Sequence, residues 1–157
     1  VLIGLSVDGV SPVNESLKEL YGTGFGINLR GEVSVSPNFS MIATLGYVSF
    51  PADPPDGVTV EDGEMVTVVS GFKVILPMGA FRPFVAIDAG ATTVKISNIS
   101  SETDSISETS GTKFTWQPHI GFEAWLGENA AIEMSARYVG IRDYKSIGVR
   151  LGILVGI

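Results

Sequence analysis

The chain has no cysteine, which excludes disulfides, thiolate chemistry and cysteine-based zinc sites, and leaves the compartment open. Positive charge is scarce: 10 Lys and Arg stand against 17 Asp and Glu, for a net charge of -7 and a pI near 4.6. That is the opposite of the basic footprint phosphate backbones require, so nucleic acid is excluded as a partner. Charged residues of either sign make up only 17%, against about a quarter in ordinary soluble domains. No stretch approaches the roughly 18 consecutive apolar residues of a membrane helix. The sequence opens at Val1 within strand-like alternation, without Met or a basic, apolar leader, and is expected to be a processed or trimmed chain.

What is present is 45% hydrophobic residues and 19 glycines in 157 residues, enough for one domain, 1–157, with a core. The hydrophobic residues follow a period of two. In Lys113–Leu126 the even positions Phe114, Trp116, Pro118, Ile120, Phe122, Ala124 and Leu126 oppose Lys113, Thr115, Gln117, His119, Gly121, Glu123 and Trp125. Fourteen residues of such alternation make a long β-strand with one greasy and one polar face.

The same pattern recurs at 1–7, 21–35, 39–50, 65–76, 81–97, 130–142 and from Ile147 to the end, giving eight expected strands. Ser36-Pro37-Asn38, Pro77-Met78-Gly79-Ala80 and Gly127-Glu128-Asn129 are short turns. Between them lie long polar stretches: Asp8–Leu20, whose VNESLKEL could form a helical turn or two, Pro51–Glu64 and Asn98–Thr112. A brief Asp143-Tyr144-Lys145 connection leads into the last strand. Alternation of long and short connections is the layout of an antiparallel up-and-down barrel.

Alternation alone leaves open whether the greasy face points in or out. Bulk decides between them. An eight-stranded barrel is only just wide enough inside for side chains, and Phe25, Phe39, Phe72, Phe114, Trp116 and Phe122 could not share it. The opposite face is rich in glycine and carries a nearly balanced set: Arg30, Lys73, Arg82, Arg137 and Arg150 against Glu32, Asp88, Glu123 and Glu133. Near-neutrality suits a desolvated interior, where unpaired charge costs several kcal/mol per ion. The expected architecture is therefore all-β, an eight-stranded antiparallel up-and-down transmembrane β-barrel with these charges and His119 as an interior network. The greasy-face aromatics fall near strand ends, as an interface girdle requires: Phe39, Phe81 and Phe122 toward the short turns, Tyr21, Tyr47, Phe114, Trp116 and Tyr138 toward the long loops. Lys95 shares their parity near the loop end, where it can snorkel.

With its alternating strands, short turns, long polar loops and charged interior, the whole chain resembles the small eight-stranded outer-membrane barrels of Gram-negative bacteria, the OmpA and OmpX type. The resemblance is architectural and departs from the pattern at Ile157, where such proteins end on an aromatic residue read by the assembly machinery. A chain cut short and a different signal both fit. The resemblance implies the outer membrane of a Gram-negative bacterium, outer-membrane lipid as surroundings, and surface ligands or other envelope proteins as partners of the long loops. It also admits a chemistry, because the outer-membrane lipid A deacylases of this barrel type carry a lipid-facing His with a Ser two residues later. Here that position is Gly121 and His119 has inward parity, so a structural interior histidine is expected.

Glu123 and Glu133, on strands joined by a short turn, could form a catalytic acid pair. The general rule that buried charges are paired assigns them instead to a network with Arg30, Lys73 or Arg137. Asp53, Asp56, Glu61, Asp62 and Glu64 match no EF-hand spacing and read as a solvated acidic loop, so no metal and no cofactor are expected. Gly22, Gly24 and Gly26 lie within a strand, which excludes a phosphate loop; they are expected to make room for Phe84 or Trp125. The expected role is non-enzymatic, in membrane integrity or adhesion, with a narrow pore for small solutes or a barrel subunit of a larger cell-envelope assembly as alternatives.

Overall fold

The computed structural model describes residues 1–13, 22–51, 59–60, 62–96, 99–101, 104–106, 109–142 and 144–157. Eight long strands, β1 (Leu2–Pro12), β2 (Gly24–Ser36), β3 (Phe39–Phe50), β5 (Gly63–Ile75), β6 (Phe81–Ile96), β9 (Thr109–Trp125), β10 (Ala130–Ile141) and β11 (Tyr144–Gly156), form a closed barrel. Each pairs antiparallel with its barrel neighbours, and β1 closes against β11 from Leu2↔Gly156 to Pro12↔Ser146. Three short strands, β4 (Thr59–Val60), β7 (Ile99–Ser101) and β8 (Asp104–Ile106), make a separate small sheet at the loop end.

Tight turns pin the registers. Gly79 (φ 71°) and Gly127 (φ 91°) sit in the left-handed region, which glycine adopts without a Cβ penalty. Close approach accounts for Gly71, because a Cβ there would collide with the Ile87 carbonyl and Asp88 of the neighbouring strand.

The apolar face points outward on every strand. Leu5, Leu29, Leu45, Val68, Ile87, Ile120, Met134 and Leu151, one from each barrel strand, are all exposed. No charged residue interrupts this band at mid-height, so among the described residues the barrel wears its hydrophobic surface outside. Water would oppose such a continuous apolar surface, whereas hydrocarbon solvates it.

Inside, the side chains form layers. At the turn end Ser40, Ile75, Ala131 and Leu154 are buried. A charged layer fills the middle, and Val10, Val48, Phe50, Met65, Val139 and Ile141 form an apolar cluster toward the loop end, with Val94 and Tyr144 against it.

Several sequence expectations need correction, among them the start of the fourth barrel strand, at Gly63 rather than Met65, and of the last, at Tyr144 rather than Ile147. The first strand does not stop at Val7 but runs to Pro12, which places Asp8 inside the barrel rather than in a polar loop. The second begins at Gly24 instead of Tyr21. The stretch 98–112 is not all loop: β9 starts at Thr109 and pairs with β6 up to Ile96↔Thr109, because a ladder is made by backbone N–H and C=O groups, which polar residues supply as well as apolar ones do. Finally, the glycines of β2 make room for other neighbours than Phe84 or Trp125. A Cβ on Gly24 would lie 2.6 Å from the Phe50 ring, and one on Gly26 2.7 Å from Val48 Cγ2. The VNESLKEL segment from Asn14 onward, Tyr21 and the acids Asp53, Asp56 and Glu61 lie outside the described residues.

Candidate functional site

The charged residues of the interior separate into two clusters and a third pair. In the turn-side cluster, Lys73 of β5 is fully buried and donates to three carboxylates: Glu32 Oε2 at 2.9 Å, Glu133 Oε2 at 3.1 Å, and Glu123 Oε1. Arg30 Nη1 donates to both oxygens of Glu133, at 2.5 and 2.8 Å, and its Nη2 lies 3.4 Å from Glu32. Trp125 Nε1 donates to Glu123 Oε2 at 3.0 Å. The Lys73 ammonium also stands 4.4 Å over the Phe84 ring, which closes one side of the cluster.

In the loop-side cluster, Asp8 is held by Arg137 Nη2, by Arg150 Nε at 3.1 Å and by Asn28 Nδ2 at 2.8 Å. Arg137 Nη1 also donates to Gln117 Oε1 at 3.1 Å. Between the clusters, His119 Nε2 lies 3.3 Å from Asp88 Oδ2, and the imidazole meets Phe84 edge-on at 5.9 Å between ring centres.

Strand register places these groups. Asp8 is directly opposite Arg150, Glu133 opposite Glu123, and Arg137 opposite His119. Period two aims all of them inward, so the barrel wall presents them as one column of complementary charge.

The structure thus brings Arg30, Glu32, Lys73, Glu123 and Glu133 together, and joins Asp88 to His119. Arg137 and Arg150 meet on Asp8, which the sequence reading had placed in a loop and left out of the interior. Arg82 is the one expected member outside the network. It has inward parity but sits at the turn rim, where its guanidinium stacks 4.5 Å from the Trp125 ring and Nε donates to the Gly79 carbonyl at 3.4 Å. Exchanging Arg82 for Asp8 leaves four buried cations, Arg30, Lys73, Arg137 and Arg150, against five buried carboxylates, Asp8, Glu32, Asp88, Glu123 and Glu133.

Glu32, Glu123 and Glu133 have carboxylate oxygens within 4.8 Å of one another, a spacing a metal ion could bridge. The Lys73 ammonium occupies their common centre and performs the neutralisation a cation would. Since His119 is buried against Asp88 and residue 121 is glycine, neither can meet a lipid on the outer surface.

The expected girdle aromatics that are described lie on the outer wall. Phe39 stacks on Phe72 (5.5 Å) and Phe81 on Phe122 (5.1 Å) toward the turns; Trp116 packs with Tyr138 (5.5 Å) toward the loops. Phe114 is exposed above that pair, and Tyr47 donates to Glu64 Oε1 at 2.8 Å on the outer surface.

No protein-family model matches the chain, and no curated protein does. Solved structures do. Neisserial surface protein A (NspA) superimposes with a TM-score of 0.72 at 9% identity, over 99% of this chain and 96% of its own. Ail, the attachment invasion locus protein of Yersinia pestis, gives 0.62 at 18% identity over 98% and 94%, and has also been solved with the heparin analogue sucrose octasulfate. The outer membrane enzyme PagL gives 0.55 at 10% identity over the full length of both chains. Three barrels of such different kinds, sharing so little sequence, agree on the architecture alone. The chain has the fold of the small eight-stranded outer-membrane β-barrels.

Proposed function

We propose that this chain is an integral protein of a Gram-negative outer membrane that conducts no solute and acts through its loop end, in surface contact or in maintaining the membrane. The observation that carries this reading is the closed interior. Paired charges fill the mid-height of the barrel, and the Val10, Val48, Phe50, Met65, Val139 and Ile141 cluster lies across the loop-side exit. A permeating ion would have to part a Lys73 ammonium from three carboxylates and then cross an apolar layer. Separating such buried pairs costs about 3–5 kcal/mol for each broken partnership.

A lipid-modifying role is disfavoured on the same geometry. A hydrolase acting on membrane lipid needs its nucleophile and base on the lipid-facing wall, and here the only histidine is enclosed with Asp88 and Phe84. Surface contact draws support from Ail, a barrel of the same fold seen with a heparin analogue, and from loops rich in acids and hydroxyls.

The test has two parts. Extracted from outer membranes, the protein should require detergent and show heat-modifiable migration on a gel. In planar bilayers it should give no reproducible conductance steps. A species soluble without detergent overturns the membrane reading, and reproducible steps overturn the closed interior in favour of a narrow pore.

A further inference from the structure

The rim of the barrel is uneven. On one side β9 is paired with β6 up to Ile96↔Thr109, whereas on the other its pairing with β10 ends at Ile141↔Thr115. Just past Ile141 the chain turns back into β11, which pairs with it at Ile141↔Tyr144. Residues 109–114 of β9, about 20 Å of extended chain, therefore rise past the β10–β11 turn with a neighbour on one edge only. Among the described residues no strand lies along the other edge.

Alternation fixes which backbone groups that edge presents. Each residue of an antiparallel strand points its N–H and C=O to one side, and the next residue points its own to the other. Trp125 N donates to the Ala80 carbonyl on the β6 side and Leu126 N to the Ala130 carbonyl on the β10 side, so even-numbered residues face β10. Pro118 agrees with this parity. It has no N–H to give β10, and the β9–β10 register is interrupted at Gln117 and Pro118 while the β9–β6 register runs through them. Since β9 has no bulge against β6, the same parity carries up to Phe114, Thr112 and Ser110. Their N–H and C=O groups form the open edge, while those of Thr115, Lys113 and Gly111 face β6.

This edge stands clear of hydrocarbon, because Thr112 lies four residues beyond the interfacial Trp116 along β9 and shares a hydrogen bond of 2.8 Å with Thr93 on the outer wall. Unpaired backbone is costly in lipid and tolerable in water. Residues 109–114 also carry no proline and no bulge, the devices by which natural sheets blunt an edge, and their one charge, Lys113, has the inner parity. We propose that the edge takes up an extended segment of a partner polypeptide, which continues the β9–β10 ladder beyond Thr115 by strand addition. Residues of the added strand opposite Thr112 and Phe114 turn their side chains outward, where Phe114, 67% exposed, seats an apolar one. A second copy in the same membrane does not fit. Strands of such barrels tilt by about 35–45°, so a copy related by a two-fold along the membrane normal would cross this β9 at about 70–90° and form no ladder. The inference rests on the surface-contact reading above and names the kind of partner.

The experiment uses the full chain in phospholipid nanodiscs, amide hydrogen exchange read residue by residue, and the heptapeptide acetyl-Thr-Val-Thr-Phe-Thr-Val-Thr-amide as probe. Without peptide, Thr112 and Phe114 should exchange far faster than Lys113 and Thr115, which bond β6. Equal protection would mean that the chain itself or a second copy already fills the edge, and overturns the proposal. With peptide, Thr112 and Phe114 should become protected; no protection at millimolar peptide overturns it too. N-methylation of the Val and Phe residues of the peptide, whose N–H groups face β9 when their side chains face outward, should weaken binding at least about tenfold, the loss of one or two backbone hydrogen bonds. N-methylation of its inner Thr residues should leave binding nearly unchanged, and equal effects of the two sets overturn strand addition. Thr112→Pro removes an edge N–H without touching the β6 ladder and should abolish binding, whereas Thr112→Ala should not; a proline variant that binds as wild type refutes the edge. The exchange and methylation measurements use wild-type protein and decide the matter even if Thr112→Pro fails to fold. Protein that migrates heat-modifiably but ignores the peptide refutes this edge alone, whereas a chain soluble without detergent refutes the membrane reading as well.

Discussion

Replacing Lys73 by Met removes the ammonium at the centre of three buried carboxylates while keeping an unbranched side chain one atom shorter. In the native cluster Lys73 and Arg30 face Glu32, Glu123 and Glu133, two charges against three. Without Lys73 the count is one against three, and the carboxylate oxygens stand within 4.8 Å of one another. At an effective dielectric constant of about 20, two charges at that separation repel by about 3.5 kcal/mol. Three such contacts exceed what relaxation can absorb, so Lys73→Met should fall at or above the range of about 3–5 kcal/mol for a buried ion that loses its partner. Glu123→Gln brings the cluster to two against two and leaves a side chain that can still accept from Trp125 Nε1; it should cost about 1 kcal/mol, one ordinary hydrogen bond. The double variant returns to the native excess of a single carboxylate and should regain about 2 kcal/mol of what Lys73→Met loses, within the coupling expected of residues in one network. Urea-driven unfolding of the protein in lipid vesicles, followed by tryptophan fluorescence, measures all four corners of the cycle. A coupling below about 0.5 kcal/mol, or Glu123→Gln costing more than Lys73→Met, refutes the network.

The balance of five buried carboxylates to four cations makes a second prediction. Asp8→Asn and Asp88→Asn both bring it to four against four, but only Asp8→Asn leaves Arg137 and Arg150 together without their carboxylate; it should cost about 3–5 kcal/mol, while Asp88→Asn should shift the urea midpoint little, and the reverse ranking would contradict the placement of Asp8 between the two arginines. On the outer wall, Leu29→Arg places a charge at mid-height in the apolar band and should lower stability in vesicles by about 2–4 kcal/mol. No loss there would mean that Leu29 does not face lipid. Gly71→Val drives a side chain into the Ile87 carbonyl and Asp88, so the folded, heat-modifiable band should be depleted; normal yield would show that the β5–β6 wall can yield.

Side was more legible in the sequence than depth. Period two and the impossibility of packing Phe25, Phe72, Phe114 and Trp116 into one narrow lumen put Arg30, Lys73, Glu123 and Glu133 on the inner wall, where they are buried. Arg82 shows the limit of parity: it shares their side, yet its position three residues from Gly79 leaves it at the rim on Trp125. Asp8 was missed although a signal was present, because Gly4, Ser6, Asp8, Val10 and Pro12 continue the inward alternation of the first strand. Its polarity and the following Gly9 and Pro12 resemble the start of a loop. The partners of Gly24 and Gly26 depend on how far β2 is offset from β3, and that offset is set by the Ser34–Ser36 bulge and the following turn. Rise of β9 above the rim left no amphipathic trace, since Thr93 and Thr112, which share a hydrogen bond of 2.8 Å there, are polar.

A barrel that turns its apolar face to lipid cannot use that face to choose its register. Lipid is the same at every azimuth, so sliding one strand by two residues keeps each apolar side chain outside at almost no cost in burial. The interior has no such freedom. Moving β1 by two residues against β11 would set Asp8 opposite Gly148 or Gly152 in place of Arg150 and strand the two arginines that now share it. Moving β9 against β10 would part Glu123 from Glu133 and so open the cage around Lys73. Each buried partnership is worth a few kcal/mol when broken, comparable with the whole stability of a small domain. The charges inside therefore do more than fill the lumen. They distinguish the native shear from slipped alternatives that the membrane would accept equally well.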